Sequence, residues 1–328
     1  MKKVLLALAA GVSLVASSMT VQAEEPDYAS MKIVLILPGS IDDQSWNASN
    51  NAGAKACDEQ LGTSIEVVES VPVEEFESTF TEYGEKGYDL VMAAGSQFDE
   101  ASAAVAPGYP ETVYTIINGT ASESENMVPV FPKEYEGSYL AGIIAGYTTE
   151  NGQLAVMGGE KNAPMVKLMD TYTAAATEVA AERGIEVKEA RTFLNTWTDV
   201  SATKSTTDQM IDNGADVAFC YSNDGTSGAI QSTEEKGAKF VAFAANKNEE
   251  SDSVVASINM NWVNVYPWII EGVASGELKG AQEVGIAEGV FEPIFTDACS
   301  EECQTAVQEA ADKIAAGEID LTQYFSEK

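Results

Sequence analysis

The sequence predicts an α/β fold in which two similar lobes, each built on a parallel sheet, flank a cleft. Short apolar runs of strand length alternate along the chain with longer amphipathic segments, which is the pattern of βαβ units. The apolar runs are continuous rather than alternating, as in parallel strands that are buried on both faces. A chain of 328 residues, 45% of them hydrophobic, is long enough for two lobes rather than one.

Nine apolar runs are predicted to be strands, and amphipathic stretches between them are predicted to be helices. Four of these stretches are followed by glycine, the residue that most readily ends a helix, at Gly62, Gly184, Gly214 and Gly237. The predicted strands are 32–37, 65–70, 89–94, 113–117, 153–158, 185–192, 215–220, 239–244 and 254–258. The predicted helices include 48–61, 99–106, 135–148, 165–183, 199–213 and 226–236.

No low-complexity linker separates the two halves of the chain, so we expect short crossovers between the lobes. The polar segments 118–130 and 245–253 are the candidate crossovers. In the helix predicted after the fourth strand, Gly142 and Gly146 have GxxxG spacing, which in a soluble protein indicates close helix packing.

Charge and residue usage argue against several classes of function. The 52 acidic residues outnumber the 18 Lys and Arg, for a net charge of −34, which disfavours nucleic acid as a partner. The chain has no histidine, so Ser-His-Asp and Cys-His catalysis and HExxH zinc sites are excluded. The remaining enzyme alternative is a carboxylate-metal hydrolase built from Asp43, Asp199 and Asp224, although no cluster with metal-ligand spacing supports it.

The first 23 residues have the layout of a secretory signal peptide. Lys2 and Lys3 precede an apolar core at 4–16, and residues 21–23 form a small-x-small cleavage site. The core is too short to span a bilayer, and no cysteine at the cleavage site offers a lipid attachment point. We expect cleavage after Ala23 and a soluble periplasmic protein, with simple secretion as the alternative.

Cys299 and Cys303 are the candidates for a disulfide. An oxidising compartment favours disulfides, and the two residues are four apart at a predicted helix start, where they can close a small loop. The alternative is that all four cysteines, including Cys57 and Cys220, are buried or free thiols. A zinc site is disfavoured because the chain has no CxxC pair and no histidine.

Polar and aromatic residues follow the predicted strands, where open α/β sheets bind their ligands. Aromatic rings with amide and carboxylate neighbours suit a flat small molecule that is stacked on its faces and hydrogen-bonded at its rim. Trp46 and Trp197 are expected to clamp such a ligand. The candidate binding residues at these strand ends are Asp42, Asp43, Trp46, Asn47, Ser96, Phe98, Asn118, Trp197, Tyr221, Asp224 and Asn246.

Each of these candidates also has a structural interpretation. Acids and amides after the first strand can cap the first helix, as Asp42, Asp43 and Asn47 would. Tryptophans bury well, so both can be core residues. The sequence Asn-Asp-Gly at 223–225 is also a common turn.

Four segments of the chain resemble the basic membrane protein family, which consists of substrate-binding proteins of ABC transporters. They are 39–47, 135–146, 276–280 and 315–319. The resemblance implies a fold similar to type I periplasmic binding proteins, with two Rossmann-like lobes joined by three crossovers at a hinge. It also implies a ligand that is usually a purine nucleoside, no catalytic role and no cofactor. The implied partner is an ABC transporter permease in the inner membrane, and we expect the protein to be a monomer.

The resemblance sets the expected division of the chain. The first lobe would contain 24–120 and about 247–288, and the second about 121–246 and 289–328. Among the matched site residues, Asp42 and Asp43 correspond to the paired acids of the family near the base. Trp46 corresponds to the aromatic residue of its Ser-Phe-Asn element and Asn47 to the asparagine of that element.

The chain departs from the family at three amides. Asn118 and Asn246 stand where the family has acids, and Asn259, a further candidate binding residue, stands where it has a lysine. Carboxylates accept from ribose hydroxyls more strongly than amides do, whereas an amide both donates and accepts. We therefore expect a planar polar ligand such as a purine base. A receptor that senses a ligand for a membrane signalling protein would have the same lobes and remains the alternative function.

Overall fold

A computed structural model of the chain describes residues 26–42 and 46–326. The fold consists of two six-stranded sheets. The first has the order β11-β5-β4-β3-β1-β2 and all its pairings are parallel. Its strands are β1 (Ile33–Ile36), β2 (Glu66–Val68), β3 (Leu90–Ala94), β4 (Val113–Ile117), β5 (Val130–Pro132) and β11 (Gln282–Val284).

The second sheet has the order β12-β10-β9-β8-β6-β7. It is parallel except at its edge, where β12 runs antiparallel to β10. Its strands are β6 (Gln153–Gly158), β7 (Lys188–Phe193), β8 (Val217–Tyr221), β9 (Lys239–Ala244), β10 (Val254–Met260) and β12 (Phe291–Phe295). The predicted α/β class with two parallel sheets is confirmed.

Helices cover the faces of both sheets. The first lobe has α1 (Trp46–Leu61), α2 (Phe76–Glu85), α3 (Asp99–Val105) and α8 (Trp262–Ser275), with α8 packed on α1. The second lobe has α4 (Glu134–Thr148), α5 (Ala163–Glu182), α6 (Val200–Asp212), α7 (Thr226–Lys236) and α9 (Glu301–Ala315). Because helices lie on both faces, central strands such as β1 and β3 are buried along their whole length.

Glycines let α4 and α5 approach closely. A Cβ at Gly142 would collide with the backbone carbonyl oxygen of Tyr172, and one at Gly146 would lie 2.7 Å from Cβ of Val179. The GxxxG prediction of close helix packing is therefore confirmed.

The chain passes between the sheets three times, at different places from those expected. It crosses after β5, after β10, and between β11 and β12. The segment 118–130 joins β4 to β5 within the first sheet, and 245–253 joins β9 to β10 within the second, so both candidate crossovers were wrong. The first lobe thus extends to β5 rather than to 120, and the second lobe extends to β10 rather than to 246. The expected third boundary, at 288–289, lies between β11 and β12.

The error at 118–130 arises because three-residue strands carry almost no periodic signal. β5 is only Val-Phe-Pro and ends on a proline, so the polar run before it looks like a linker.

Hydrogen bonds and an ion pair tie the crossovers together. Lys133, between β5 and α4, pairs with Glu136 at 2.5 Å. The Glu136 carboxylate also accepts from the backbone N–H of Ile286, between β11 and β12, at 2.8 Å. Asn261, which follows β10, donates its backbone N–H to the carbonyl oxygen of Val290, which precedes β12, at 2.6 Å. The three connections therefore form one hydrogen-bonded hinge.

All four cysteines are free, buried thiols, so the expected Cys299–Cys303 disulfide was wrong. Ser300 caps α9 by accepting from the Cys303 N–H, which places Cys303 in the first turn and Cys299 just before the cap. A hydrogen bond from the Cys303 thiol lowers the pKa of Cys299, while that contact and burial raise the pKa of Cys303. The two thiols therefore lie next to each other at the start of α9 without a covalent bond.

The expected signal peptide at 1–23, with cleavage after Ala23, lies outside the described residues. Within 26–42 and 46–326, none of the helices combines the length and the apolar character that a membrane span needs.

Candidate ligand-binding cleft

A cavity of about 580 Å³ lies between the two lobes, beyond the carboxyl ends of strands of the second sheet. This volume is in the range of small-molecule sites. The first lobe supplies the start of α1 and of α8, and the second lobe supplies β10 and the segments after β8 and β9. The lining residues are Trp46, Ala48, Ser49, Trp262, Tyr221, Asn223, Asp224, Thr226, Ser227, Phe243, Ala244, Ala245, Asn246, Lys247, Glu250, Asn259 and Met260.

Trp46 is the first-lobe aromatic wall of the cavity. Its indole N–H donates to the carbonyl oxygen of Ala94, at the end of β3, at 3.0 Å. Its ring meets that of Trp262 edge to face, with centroids 5.7 Å apart and planes at 87°. Since the N–H is already bonded and Trp262 is only 1% exposed, the Trp46 ring is held in place and offers apolar surface to a ligand.

Tyr221, at the end of β8, is an aromatic wall from the second lobe. Its ring makes edge contacts with Phe243, at 5.1 Å, and with Trp197, at 5.7 Å. Trp197 does not line the cavity. It lies behind Tyr221, and its ring packs so closely on Gly159 that a Cβ at that position would collide with it. The structure therefore brings Trp46 and Tyr221 to the cavity, and not Trp46 and Trp197 as expected for the clamp.

The Tyr221 hydroxyl donates to the carboxylate of Glu134, the first residue of α4, at 3.1 Å. Burial raises the pKa of Glu134 to about 7, partly opposed by this hydrogen bond. Burial and the neighbouring carboxylate raise the pKa of Tyr221 well above its usual value. Sequence reasoning missed Glu134, because an acid in the first turn of a helix is ordinary there.

The polar rim of the cavity comes mainly from the second lobe. Lys247 pairs with Glu250 at 2.7 Å, and its backbone N–H donates to the Ser257 hydroxyl. The Asn246 side chain accepts from the N–H of Asn248 at 3.1 Å. The half-buried Asn259 side chain on β10 makes no hydrogen bond to the part of the chain that the structure describes, so it is available to a ligand.

Two predicted binding residues have structural roles instead. Phe98 is fully buried in the core of the first lobe, with its ring 4.0 Å from that of Phe76, so its prediction was wrong. A 3₁₀ turn at Ser96–Phe98 turns this ring inward just after the strand. Asn47 is buried and accepts from the Gly39 N–H at 3.2 Å, which ties the segment after β1 to α1.

The other first-lobe candidates that the structure describes do not line the cavity. Asp42 and Ser96 are exposed, and the Asp42 backbone N–H donates to the Ser40 hydroxyl. Asn118 follows β4 with a φ of 63°, in the left-handed region that asparagine tolerates, and its N–H donates to the Val130 carbonyl oxygen. Asp43 lies outside the described residues.

The residues of the hydrolase alternative are not assembled. Asp199 caps α6 by accepting from the Ala202 N–H at 2.9 Å, whereas Asp224 lines the cavity. Among the described residues no group of three or more His, Cys, Asp or Glu side chains is placed to hold a metal ion.

Two α/β lobes around a cleft have the architecture of the type I periplasmic binding fold, which ABC-transporter solute-binding proteins share. The crystal structure of such a protein from Aeropyrum pernix K1 has the same fold. It matches with a TM-score of 0.72 at 20% identity, over 88% of this chain and 92% of that one. Residues 30–323 match the Bmp family, described as ABC transporter substrate-binding protein PnrA-like, and the chain belongs to that family. The resemblance to the basic membrane proteins is confirmed.

Curated relatives match smaller parts of the chain. The chain is similar to the CD4+ T-cell-stimulating antigen of Listeria innocua, at 27% identity over 55% of this chain and 51% of that protein. It is also similar to the ABC transporter nucleoside-binding protein BmpA of Lactococcus lactis, at 22% identity over 63% of this chain and 58% of that protein. The chain thus matches about half the length of these relatives. The family is one of solute-binding proteins rather than enzymes.

Proposed function

We propose that this protein captures a small planar polar ligand, a purine base or a nucleoside-like molecule, between its lobes for delivery to an ABC transporter permease in the inner membrane. The observation that carries the proposal is the interlobe cavity. It is lined by the ring of Trp46, which a hydrogen bond to the Ala94 carbonyl oxygen holds in place, and by amide and carboxylate side chains. A planar ligand can stack on the ring while its edge bonds to the rim.

The amides support a base over a nucleoside. Asn246 and Asn259 line the cavity, and an amide can pair with the mixed donors and acceptors of a nucleobase edge. An amide that is buried without a partner costs about 1–3 kcal/mol, so a ligand that covers the half-buried Asn259 should offer its side chain a hydrogen bond. The name of the Lactococcus relative, which specifies a nucleoside-binding protein, supports the same ligand class.

Closure of the lobes would follow from the hinge. The contacts of Lys133, Glu136 and Ile286 join the crossovers at one place, so the lobes can rotate about it while their sheets stay intact. Ligand binding then shifts the population toward the closed form. We also propose that the mature protein is a periplasmic monomer whose leader is removed after Ala23.

Calorimetry with adenine, guanine and their nucleosides tests the proposed ligand class. Aromatic stacking contributes about 1–3 kcal/mol per base, so Trp46→Ala should weaken binding about tenfold to a hundredfold. Trp268→Ala, on α8 and outside the cavity lining, is the matched control and should bind as the wild type does. Tighter binding of nucleosides than of bases would overturn the preference for a base. Equal binding by wild type and the Trp46 variant, or no binding of any of these compounds, would overturn the proposed site or ligand class.

A further inference from the structure

The charged side chains that line the cavity do not all have a charged partner, and this indicates which ligand charge the cavity favours. Of the described lining residues, three carry charge: Asp224, Lys247 and Glu250. The Lys247 ammonium lies 2.7 Å from the Glu250 carboxylate, so these two charges neutralise each other. The carboxylate of Asp224, an exposed residue at the cavity wall, makes no hydrogen bond and no ion pair within the described parts of the chain. The cavity therefore presents one uncompensated negative charge.

Asp224 does not serve the helix that it precedes. It lies in the 3₁₀ turn Asn223–Gly225 before α7, where an acid commonly caps the helix. Neither that turn nor α7 has a side-chain capping hydrogen bond. Its carboxylate thus remains free to accept a bond at the cavity wall.

The aromatic surroundings favour the same ligand chemistry. Trp46 and Tyr221 line the cavity with Asp224, and the faces of such rings attract positive charge. Behind Tyr221, the carboxyl group of Glu134 accepts from the tyrosine hydroxyl and adds no positive charge. A phosphate group would meet Asp224 with no unpaired cation in the described lining to offset the repulsion.

Resting on the proposed function, we propose that Asp224 is a specificity-determining residue that selects planar ligands of neutral or positive charge with N–H donors and rejects phosphorylated ones. The carboxylate accepts from an amino or ring N–H group while the ring of the ligand stacks on Trp46. Charge-assisted bonds of this kind are about twice as strong as neutral ones.

The test measures binding of adenine, adenosine, adenosine monophosphate and 1-methylnicotinamide by calorimetry. The wild type should bind the monophosphate at least tenfold more weakly than adenosine. Asp224→Asn should weaken adenine binding about tenfold to a hundredfold and should reduce the discrimination against the monophosphate. Glu249→Gln removes one exposed charge from a residue outside the cavity lining and should change neither property.

Each outcome decides between this inference and the proposed function. If purines bind but Asp224→Asn binds and discriminates as the wild type does, only this inference is overturned. The same holds if Glu249→Gln relaxes discrimination equally, because the effect would then come from general surface charge. If no purine binds but 1-methylnicotinamide binds in an Asp224-dependent manner, the purine class is wrong and the charge selection stands. Binding of none of the four compounds overturns both.

Discussion

The carboxyl group of the half-buried Glu134 predicts a pH dependence of stability that one substitution should remove. Burial raises its pKa from about 4.5 to about 7 in the folded protein, whereas in the unfolded chain the pKa returns to its ordinary value. Between these pH values the folded protein binds more protons than the unfolded chain. The stability associated with this group is thus fully present below about pH 4.5 and is lost as the pH rises through about 7.

The size of the effect follows from the two pKa values. At about 1.36 kcal/mol per pH unit, the interval from about 4.5 to about 7 corresponds to about 3 kcal/mol of unfolding free energy. Glu134→Gln keeps an oxygen that can accept from the Tyr221 hydroxyl, but it cannot ionise. The variant should match the wild type near pH 5 and should exceed it by up to about 3 kcal/mol at pH 8.

Urea denaturation followed by tryptophan fluorescence at pH 5, 6.5 and 8 measures this difference. Glu309→Gln, at an exposed position on α9, is the control and should follow the wild type at all three pH values. A stability difference between Glu134→Gln and wild type that stays constant from pH 5 to pH 8, or that grows toward low pH, would refute the reasoning.

Two further predictions concern packing and net charge. Gly142→Ala should destabilise the protein by about 1–3 kcal/mol in denaturant unfolding, because its Cβ would collide with the Tyr172 carbonyl oxygen. Gly108→Ala, which has open space around the new methyl group, is the control, and equal stability of the two variants would contradict the packing argument. The net charge of −34 repels itself in the folded state, so the melting temperature should rise from low to moderate salt. A melting temperature that is independent of salt would mean that the acids are already compensated locally.

Much of the fold could be predicted because buried parallel strands leave a strong signal in the sequence. The predicted strands 113–117, 153–158 and 239–244 coincide with β4, β6 and β9. The three strands β5, β11 and β12 were missed because two have only three residues and the third is a partly exposed edge strand. The absence of β5 from the prediction misplaced the first crossover.

The site could be predicted only in part. The rule that ligands bind beyond strand ends found Tyr221, Asp224 and Asn246, which the structure places in the cavity. It could not separate them from Phe98, which also follows a strand, because the direction of a side chain after a turn depends on tertiary packing. Trp262 was missed because it begins a helix, α8, that was not among the predicted helices.

A crystal structure of the protein grown with adenine tests the central claim most directly. We expect adenine in the interlobe cavity, stacked on Trp46, with its polar edge bonded to Asn259 and its amino group directed at Asp224. Adenine bound elsewhere, or an empty cavity in a protein saturated with adenine, would contradict the claim that this cleft is a site for planar polar ligands of the purine type.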